Sequence, residues 1–408
     1  MCYAIPGKVI DINDGFVTVD YFGEKKKARN EFYELTSGDY IYAQGGFVVQ
    51  RISKEEALPI LETWKELFFK LQEVDFNLAR ETKNLYQRAN NLRQIYHGNS
   101  CCIHGIIEFS NYCRNDCLYC GIRKENVKLS RYRMDPEEII DTAHYAVNKL
   151  GFKALVLQSG EDIWYDDAKM SYIIREIRKH APCLIILSMG ERKEELYKKL
   201  YKAGARGALL RFETSNSDIY ERMRPGHILS DRVNLINNLH NIGYLIMTGF
   251  LLGLPAPSEA GPGQTKPDIF NDIKLTNSLG AAMFSFGPFI PHPQTPLSNV
   301  PSPSVEEVLD TIAEARTTNP QAQILVNTSF ETLDKKNAVR LGLMAGANSL
   351  MLNVTPEKYR KLYDIYPNRA GIDLDIAERI KSIVNLLRSI GRAPTDLGMS
   401  LHGPKCLA

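Results

Sequence analysis

Three cysteines stand at C-x3-C-x2-C spacing in the run Ser110-Asn111-Tyr112-Cys113-Arg114-Asn115-Asp116-Cys117-Leu118-Tyr119-Cys120-Gly121. The apolar Ile106-Ile107-Glu108-Phe109 precedes them, so a loop leaving a strand carries the thiols. Gaps this short let one loop turn three thiolates onto one face. Three thiolates can hold three corners of a [4Fe–4S] cube, whose irons ordinarily take one Cys each. The fourth iron then stays open to a substrate or cofactor. A disulfide between two of the three, or a zinc shared with a His or Asp, is the plainer chemistry. Zinc wants a fourth ligand close by, and the nearest histidine, His104, falls on the far side of the strand.

The elements that must position this loop form a repeat. Apolar strand candidates lie at 106–110, 153–158, 184–188, 207–212, 245–251, 282–287, 323–328 and 348–353, with helical patterns between them. Asp135-Pro136 opens a helix, and Gly151, Gly204, Gly243 and Gly346 close helices before the next strand. Further helices are expected at 357–366 and 376–390. Eight strands alternating with helices predict an α/β fold, a parallel (βα)8 barrel of TIM type. In such a barrel the C-terminal strand ends carry the site. Those ends read Cys113 to Cys120, Gln158-Ser159-Gly160-Glu161-Asp162, Ser188-Met189-Gly190-Glu191, Arg211-Phe212-Glu213 and Asn327-Thr328-Ser329, polar at nearly every strand. Asp162 and Glu191 are also candidate helix caps, and His292, between two prolines, reads equally as a structural loop residue.

The cysteine spacing, with the aromatic Tyr119 before the third Cys, resembles the radical S-adenosylmethionine (SAM) signature. That resemblance implies a [4Fe–4S] cluster on Cys113, Cys117 and Cys120, and bound SAM. Glu161, after Gly160, would accept from the ammonium of SAM, and Arg211 would fork onto its carboxylate. Glu213, Ser188 or Ser159 would take ribose or amino protons, with contacts near Tyr119. Reduction of the cluster would release a 5′-deoxyadenosyl radical. The plain alternative for Arg211 and Glu213 is a mutual ion pair.

Residues 104 to about 395 resemble the HydE family of [FeFe]-hydrogenase maturases. The resemblance runs through IIEFSNYCRNDCLYCGIRKEN, RYRMDPEEI, VLQSGED, LSMGE, LLRFETSN, GPFIPHPQTPL and NVTPEKYRKLYDIYP. It implies remodelling of a small cysteine-bound iron carbonyl–cyanide precursor, with substrate contacts at Thr328, Met351 and Tyr363. Three departures stand out. Glu194 occupies the place of a family Arg, an insertion splits GLP from GQT between Pro255 and Gly263, and Cys406 alone remains where some members carry a second cluster.

Residues 1 to about 52 read as short strands, with a hairpin at Asn13-Asp14-Gly15 and a turn at Gly38-Asp39. A small all-β, OB-like barrel follows from strands with no room for a helix. Ser53 and Glu56 then form a capping box that opens a helix, and a second helix is expected from about 77 to 96. MCYAIPGKV and GDYIYAQGGFVVQRISKEEA resemble the HypC family of hydrogenase maturation chaperones, which implies Cys2 as an iron ligand. The expected division is 1–70 for this unit, 71–103 for a helical linker, and 104–408 for the main barrel with its C-terminal helix.

Apolar residues make up 44% of the 408 and charged residues 24%, ordinary for a globular chain, and a net charge of +2 implies no nucleic acid partner. No apolar run nears the ~20 residues that span a bilayer, so a cytoplasmic protein without a membrane partner is expected. Besides the triad, Cys2, Cys101, Cys102, Cys183 and Cys406 are scattered, which favours metal binding over a disulfide framework. Cys101, Cys102 and Cys183 read as small buried hydrophobes. The expected partners are a small molecule or small iron complex, an electron donor of ferredoxin or flavodoxin type, and other hydrogenase maturation proteins. The rival readings are a radical enzyme acting on a purely organic substrate, like methylornithine synthase or a pyridinol-cofactor maturase, and a SAM-binding chaperone without turnover.

Overall fold

The computed structural model describes residues 4–256, 263–395 and 399–400. Cys2, Cys406 and most of the 255–263 insertion therefore lie outside the described residues. At the N-terminal end, β1 (Gly7–Asn13), β2 (Phe16–Tyr21), β3 (Glu24–Arg29), β4 (Tyr40–Gln44) and β5 (Phe47–Ile52) form one sheet, closed by a bridge from Arg29 to Phe47. The β1–β2 turn has positive φ at Asp14 and Gly15, the handedness that suits a twisted hairpin. Strand β3, Glu-Lys-Lys-Lys-Ala-Arg, was hidden by its charges. Only Lys26 and Ala28 turn inward, and the Lys26 stem packs while its ammonium meets Glu24 at 3.7 Å. Near the other end of the chain, Met399–Ser400 adds a sixth, antiparallel strand against Lys26 and Lys27.

The capping box of Ser53 and Glu56 opens α1 (Lys54–Ala79), and that of Asn84 and Gln87 opens α2 (Leu85–His97). Their bounds differ from those expected for the two helices. Residue 70 falls inside α1, and the second helix starts at Leu85 because Arg80–Asn84 turn the chain. On α1, Asp75 accepts from Arg93 of α2 at 2.6 and 2.7 Å and from Arg392 at 2.8 Å, all three side chains fully buried. This knot fastens α1 and α2 to the end of the chain.

The main barrel has eight parallel strands. They are β6 (Cys102–Ser110), β7 (Ala154–Ser159), β8 (Leu184–Ser188), β9 (Gly207–Leu209), β10 (Leu245–Thr248), β11 (Met283–Phe284), β12 (Gln323–Val326) and β13 (Ser349–Asn353). Leu245 opposite Gly207 completes the β9–β10 ladder, and Ser349 opposite Cys102 joins the last strand to the first. The first strand begins four residues earlier than expected, at Cys102 and not at 106. Those at 207, 245 and 283 are shorter than expected, because the chain leaves the ladder to build the site. The expected helix at 357–366 is one turn, Glu357–Arg360, followed by irregular chain, whereas that near 376–390 stands as Ile376–Ser389. All four expected helix-ending glycines have positive φ, from 84° to 121°.

The two barrels share a core. Inside the main barrel, Ile106, Val156, Ile186, Met247, Met283 and Leu325 form a buried cluster that continues into Ala4, Tyr42, Phe47 and Val49 of the small barrel. The small barrel is therefore the floor of the large one. Gly45, at φ +58°, makes the closest approach: a Cβ there would lie 2.8 Å from Leu184 Cδ2. Polar ties surround this contact. Lys153 Nζ donates to Gln50 at 2.7 Å, Arg206 meets Glu31 at 2.6 Å, and the Phe32 ring lies within 4.5 Å of the Arg178 and Arg206 guanidinium carbons. Among the described residues no helix is long and apolar enough to cross a membrane.

Candidate active site

A cavity of about 300 Å³ opens at the C-terminal mouth of the main barrel. The residues expected to hold the cluster, SAM and the substrate line it, whereas Asp162, Glu191 and His292 do not, and Cys2 lies outside the described residues. The cysteine loop is held at both ends. Asn111 donates to Ser130 O at 2.8 Å and Leu362 O at 2.7 Å, and its side-chain oxygen accepts from Tyr132 N at 2.8 Å. Gly121 N donates to Ile365 O at 2.9 Å, and buried His292 meets Asp364 at 3.0 Å against the same glycine. His292 does not line the cavity; it packs against the loop. Gly160 fits because a Cβ there would come within 2.3 Å of Tyr112 O and 2.8 Å of Cys113 Cβ.

The three thiols turn into the cavity. Glu161 N donates to Cys113 Sγ at 3.4 Å. Burial pushes Cys113 up to about 11 and raises Cys117 and Cys120 as well, so without a cation the trio is neutral. Among the described residues no three His, Cys, Asp or Glu side chains are gathered closely enough to hold a single metal ion.

Beside the thiols lies an incompletely paired carboxylate. Glu213 sits at φ +69°, a backbone region that costs a non-glycine residue about 1–3 kcal/mol. The residue is buried, Arg211 Nη2 approaches its Oε2 at 3.2 Å, and that oxygen still has no hydrogen-bond partner. The mutual pair with Arg211 therefore exists as a meeting of charges, with hydrogen-bonding capacity to spare. Burial raises the Glu213 carboxyl, while Arg211 and Arg224 oppose that rise. Arg224 was not legible in the sequence. It is buried, donates to Glu191 at 2.9 Å and to Tyr220 OH at 2.7 Å, and its Nε has no partner.

The acidic residues at the strand ends are tied to neighbouring loops. Glu161 already accepts from Glu191 N at 2.7 Å and Arg114 Nε at 3.2 Å, so its oxygens tie two loops together. Asp162 caps no helix: it takes Arg133 at 2.7 and 3.0 Å and Ser110 at 2.7 Å. Glu191 likewise binds Arg224, Arg232 and His227 instead of capping.

The far end of the cavity is polar. Thr328 Oγ1 and Tyr366 OH share a 2.7 Å hydrogen bond, and Gln158 donates to Tyr363 OH at 3.2 Å. Glu108 is fully buried against Arg369, and Asn353 donates to it at 2.7 Å. Glu331 and Arg379 make a second ion pair on the wall. Arg369 and Arg379 come from the irregular chain and helix after β13, where no periodicity marked them.

Residues 107–261 match the Radical SAM superfamily, 285–388 the Biotin and Thiamin Synthesis associated domain, and 1–64 the HupF/HypC family. The [FeFe] hydrogenase maturase subunit HydE of Thermotoga maritima is 38% identical over 310 residues, 76% of this chain and 86% of that protein. The 3-methylornithine synthase of Methanosarcina acetivorans is 28% identical over 319 residues, 77% of this chain and 86% of its own. The crystal structure of methylornithine synthase (PylB) superposes with a TM-score of 0.64 at 26% identity, covering 80% of this chain and 97% of that one. A closed barrel with a thiol triad at its mouth, matched to that superfamily, is a radical SAM enzyme, and its cofactors are a [4Fe–4S] cluster and SAM. Within that class the chain belongs to the HydE family, with a HupF/HypC domain fused at its N-terminus.

Proposed function

We propose that this enzyme acts in the maturation of a hydrogenase-type organometallic iron cofactor, using a radical drawn from SAM. The observation that carries the reading is Glu213, a buried, strained carboxylate with an unpartnered oxygen, on the same cavity wall as three thiols. Such a group suits a ligand hydroxyl or ammonium. Cys113, Cys117 and Cys120 would hold the cluster as thiolates, with the Glu161 N–H donating to Cys113 Sγ. Glu213 and Arg211 would bind the polar ends of SAM, with Ser159, Gly160, Ser188 and Tyr119 shaping its berth. Glu161 would act one step back, fixing Arg114 and the backbone of Glu191. When bound, the reduced cluster and SAM together supply a 5′-deoxyadenosyl radical.

The far wall of Tyr363, Thr328, Met351 and the Glu108–Arg369 pair offers polar groups for a small zwitterionic substrate, as a cysteine-bound iron complex would be. The HupF/HypC domain at the floor favours an iron-containing substrate. Likeness to methylornithine synthase in sequence and structure supports a second reading, a free amino acid on the same wall. For reductant entry, residues 112–133 carry six Lys and Arg against two Asp and Glu in a chain of net charge +2, which suits an acidic ferredoxin or flavodoxin.

The test is anaerobic reconstitution followed by dithionite and SAM, with chromatography for 5′-deoxyadenosine. Product in the wild type and none in Cys117→Ala supports the radical reading. Absence of product from protein with a full cluster sinks it. Turnover of a free amino acid without iron would move the substrate to the second reading.

A further inference from the structure

Arg224 precedes Pro225, and the residue before a proline is pushed out of helical backbone. The short helix Ser217–Met223 therefore ends there, and Arg224 takes φ −129° and ψ 73°. This helix end lies against the thiol loop, because Leu118 N donates to Met223 O at 2.9 Å. Leu118 and Tyr119 also pack on Ile219 and Met223 in one apolar cluster. The Arg224 side chain enters the cavity with Cys117 and is 1% exposed.

A buried guanidinium needs an anion. Glu191 bonds its Nη1 at 2.9 Å, but the same carboxylate takes Arg232 at 2.8 Å and meets His227 at 3.2 Å. Tyr220 OH, 2.7 Å from Nη1, is a neutral partner. Glu161 stands 3.7 Å from Nη2 and is already held by Arg114 and the Glu191 N–H. Glu213 draws on Arg211 first. Two guanidiniums therefore share Glu191, and Nε of Arg224 is left without a partner.

The surplus charge is felt at a thiol. Burial raises Cys117, and Arg224 works against that rise by its charge and by a hydrogen bond to the sulfur. Hydrogen bonds to the sulfurs and the net charge around them are among the terms that set the potential of an iron–sulfur cluster. Reduction adds one negative charge to the cluster, so a buried cation at one of its ligands favours the reduced state.

We propose that Arg224 sets the reduction potential of the cluster, by holding a buried positive charge at the Cys117 ligand. It raises that potential and so makes the cluster easier for a one-electron donor to reduce. The proposal rests on the assignment of the cluster to the three cysteines. Removing the guanidinium leaves Glu191 with Arg232 and His227, and Glu161 with Arg114, so neither carboxylate is stranded.

The test uses full-length protein, reconstituted anaerobically without SAM, as wild type, Arg224→Gln, Arg224→Met and Arg224→Lys. Iron and sulfide assays report the cluster, and a redox titration followed by electron paramagnetic resonance reads its midpoint potential. The two neutral variants should make reduction at least about tenfold less favourable, a downward shift of about 59 mV for one electron. Arg224→Lys keeps the charge but has one nitrogen for both Glu191 and the sulfur, so its potential should fall between. A loaded neutral variant with the wild-type potential, or a higher one, would overturn the proposal, since a purely structural role changes stability and not potential. Should neither neutral variant load a cluster, Arg224→Lys decides, and a potential equal to the wild type's would overturn it. A wild type that takes up no cluster would sink the cysteine assignment and the proposal together.

Discussion

Asp75 and Glu213 are both buried carboxylates beside two arginines, and they are built to opposite ends. Asp75 takes two hydrogen bonds from Arg93 and one from Arg392, and Asn90 accepts from both guanidiniums. Glu213 meets Arg211 without spending Oε2, Arg224 keeps an idle Nε, and the backbone beneath is left-handed. A saturated knot fixes the chain; an unsaturated one keeps capacity for a ligand. Asp272 is a third case, buried among neutral donors, with Ser215 N close by and Gln264 at 2.7 Å.

The sharpest break in this contrast comes from the thiols. Cys117→Ala should abolish 5′-deoxyadenosine formation and the cluster absorbance, while the melting temperature of the metal-free protein barely moves. Asp75→Asn should do the reverse. Leaving two buried guanidiniums short of a counter-charge should cost about 3–5 kcal/mol in chemical denaturation. SAM affinity of the folded fraction should stay as it was.

Asp272 adds a pH test. Burial raises it from 3.8 to about 6, so between those values the folded chain binds more protons than the unfolded one. Stability therefore falls as pH rises from about 4 to about 6, by up to about 3 kcal/mol. Asp272→Asn should flatten that slope in a series of urea melts; a slope unchanged by the substitution would refute the assignment.

Glu213→Gln should weaken SAM about 10- to 100-fold by calorimetry, a change of about 1.4–2.7 kcal/mol, and leave the melting temperature level or higher. A large loss of stability there would erase its difference from Asp75. The smallest effect belongs to Arg114→Ala. Its half-exposed pair with Glu161 should contribute under about 1 kcal/mol, because Glu161 keeps the Glu191 N–H.

The sequence made the thiol loop and the barrel legible because both are local signals: short cysteine gaps, and apolar runs closed by glycines such as Gly204 and Gly243. Strand β3 was opaque, since three consecutive lysines read as solvent-facing until one finds the Lys26 stem turned inward. The continuation of α1 past residue 70 was not legible, because Asp75 is held by Arg93 and Arg392, which lie 18 and 317 residues away. Arg224 and Arg369 were invisible for the same reason. Their roles depend on side chains brought together by the closure of the barrel. Cys102 looked like a small hydrophobe because the first barrel strand was expected to begin at Ile106 and nothing in one dimension places Gln44 beside it.

The strand Met399–Ser400 on the edge of the small barrel sets a schedule for synthesis. The small barrel cannot complete its sheet until residues 399 and 400 arrive, some 370 positions after β3. At about 5–20 residues per second, that is a wait of roughly 20–70 s with the β3 edge unpaired. The lysines of β3 discourage other chains from pairing there meanwhile. A chain cut before residue 399 would lack this strand and keep that edge open, so the small barrel's sheet is completed only after the main barrel has been made.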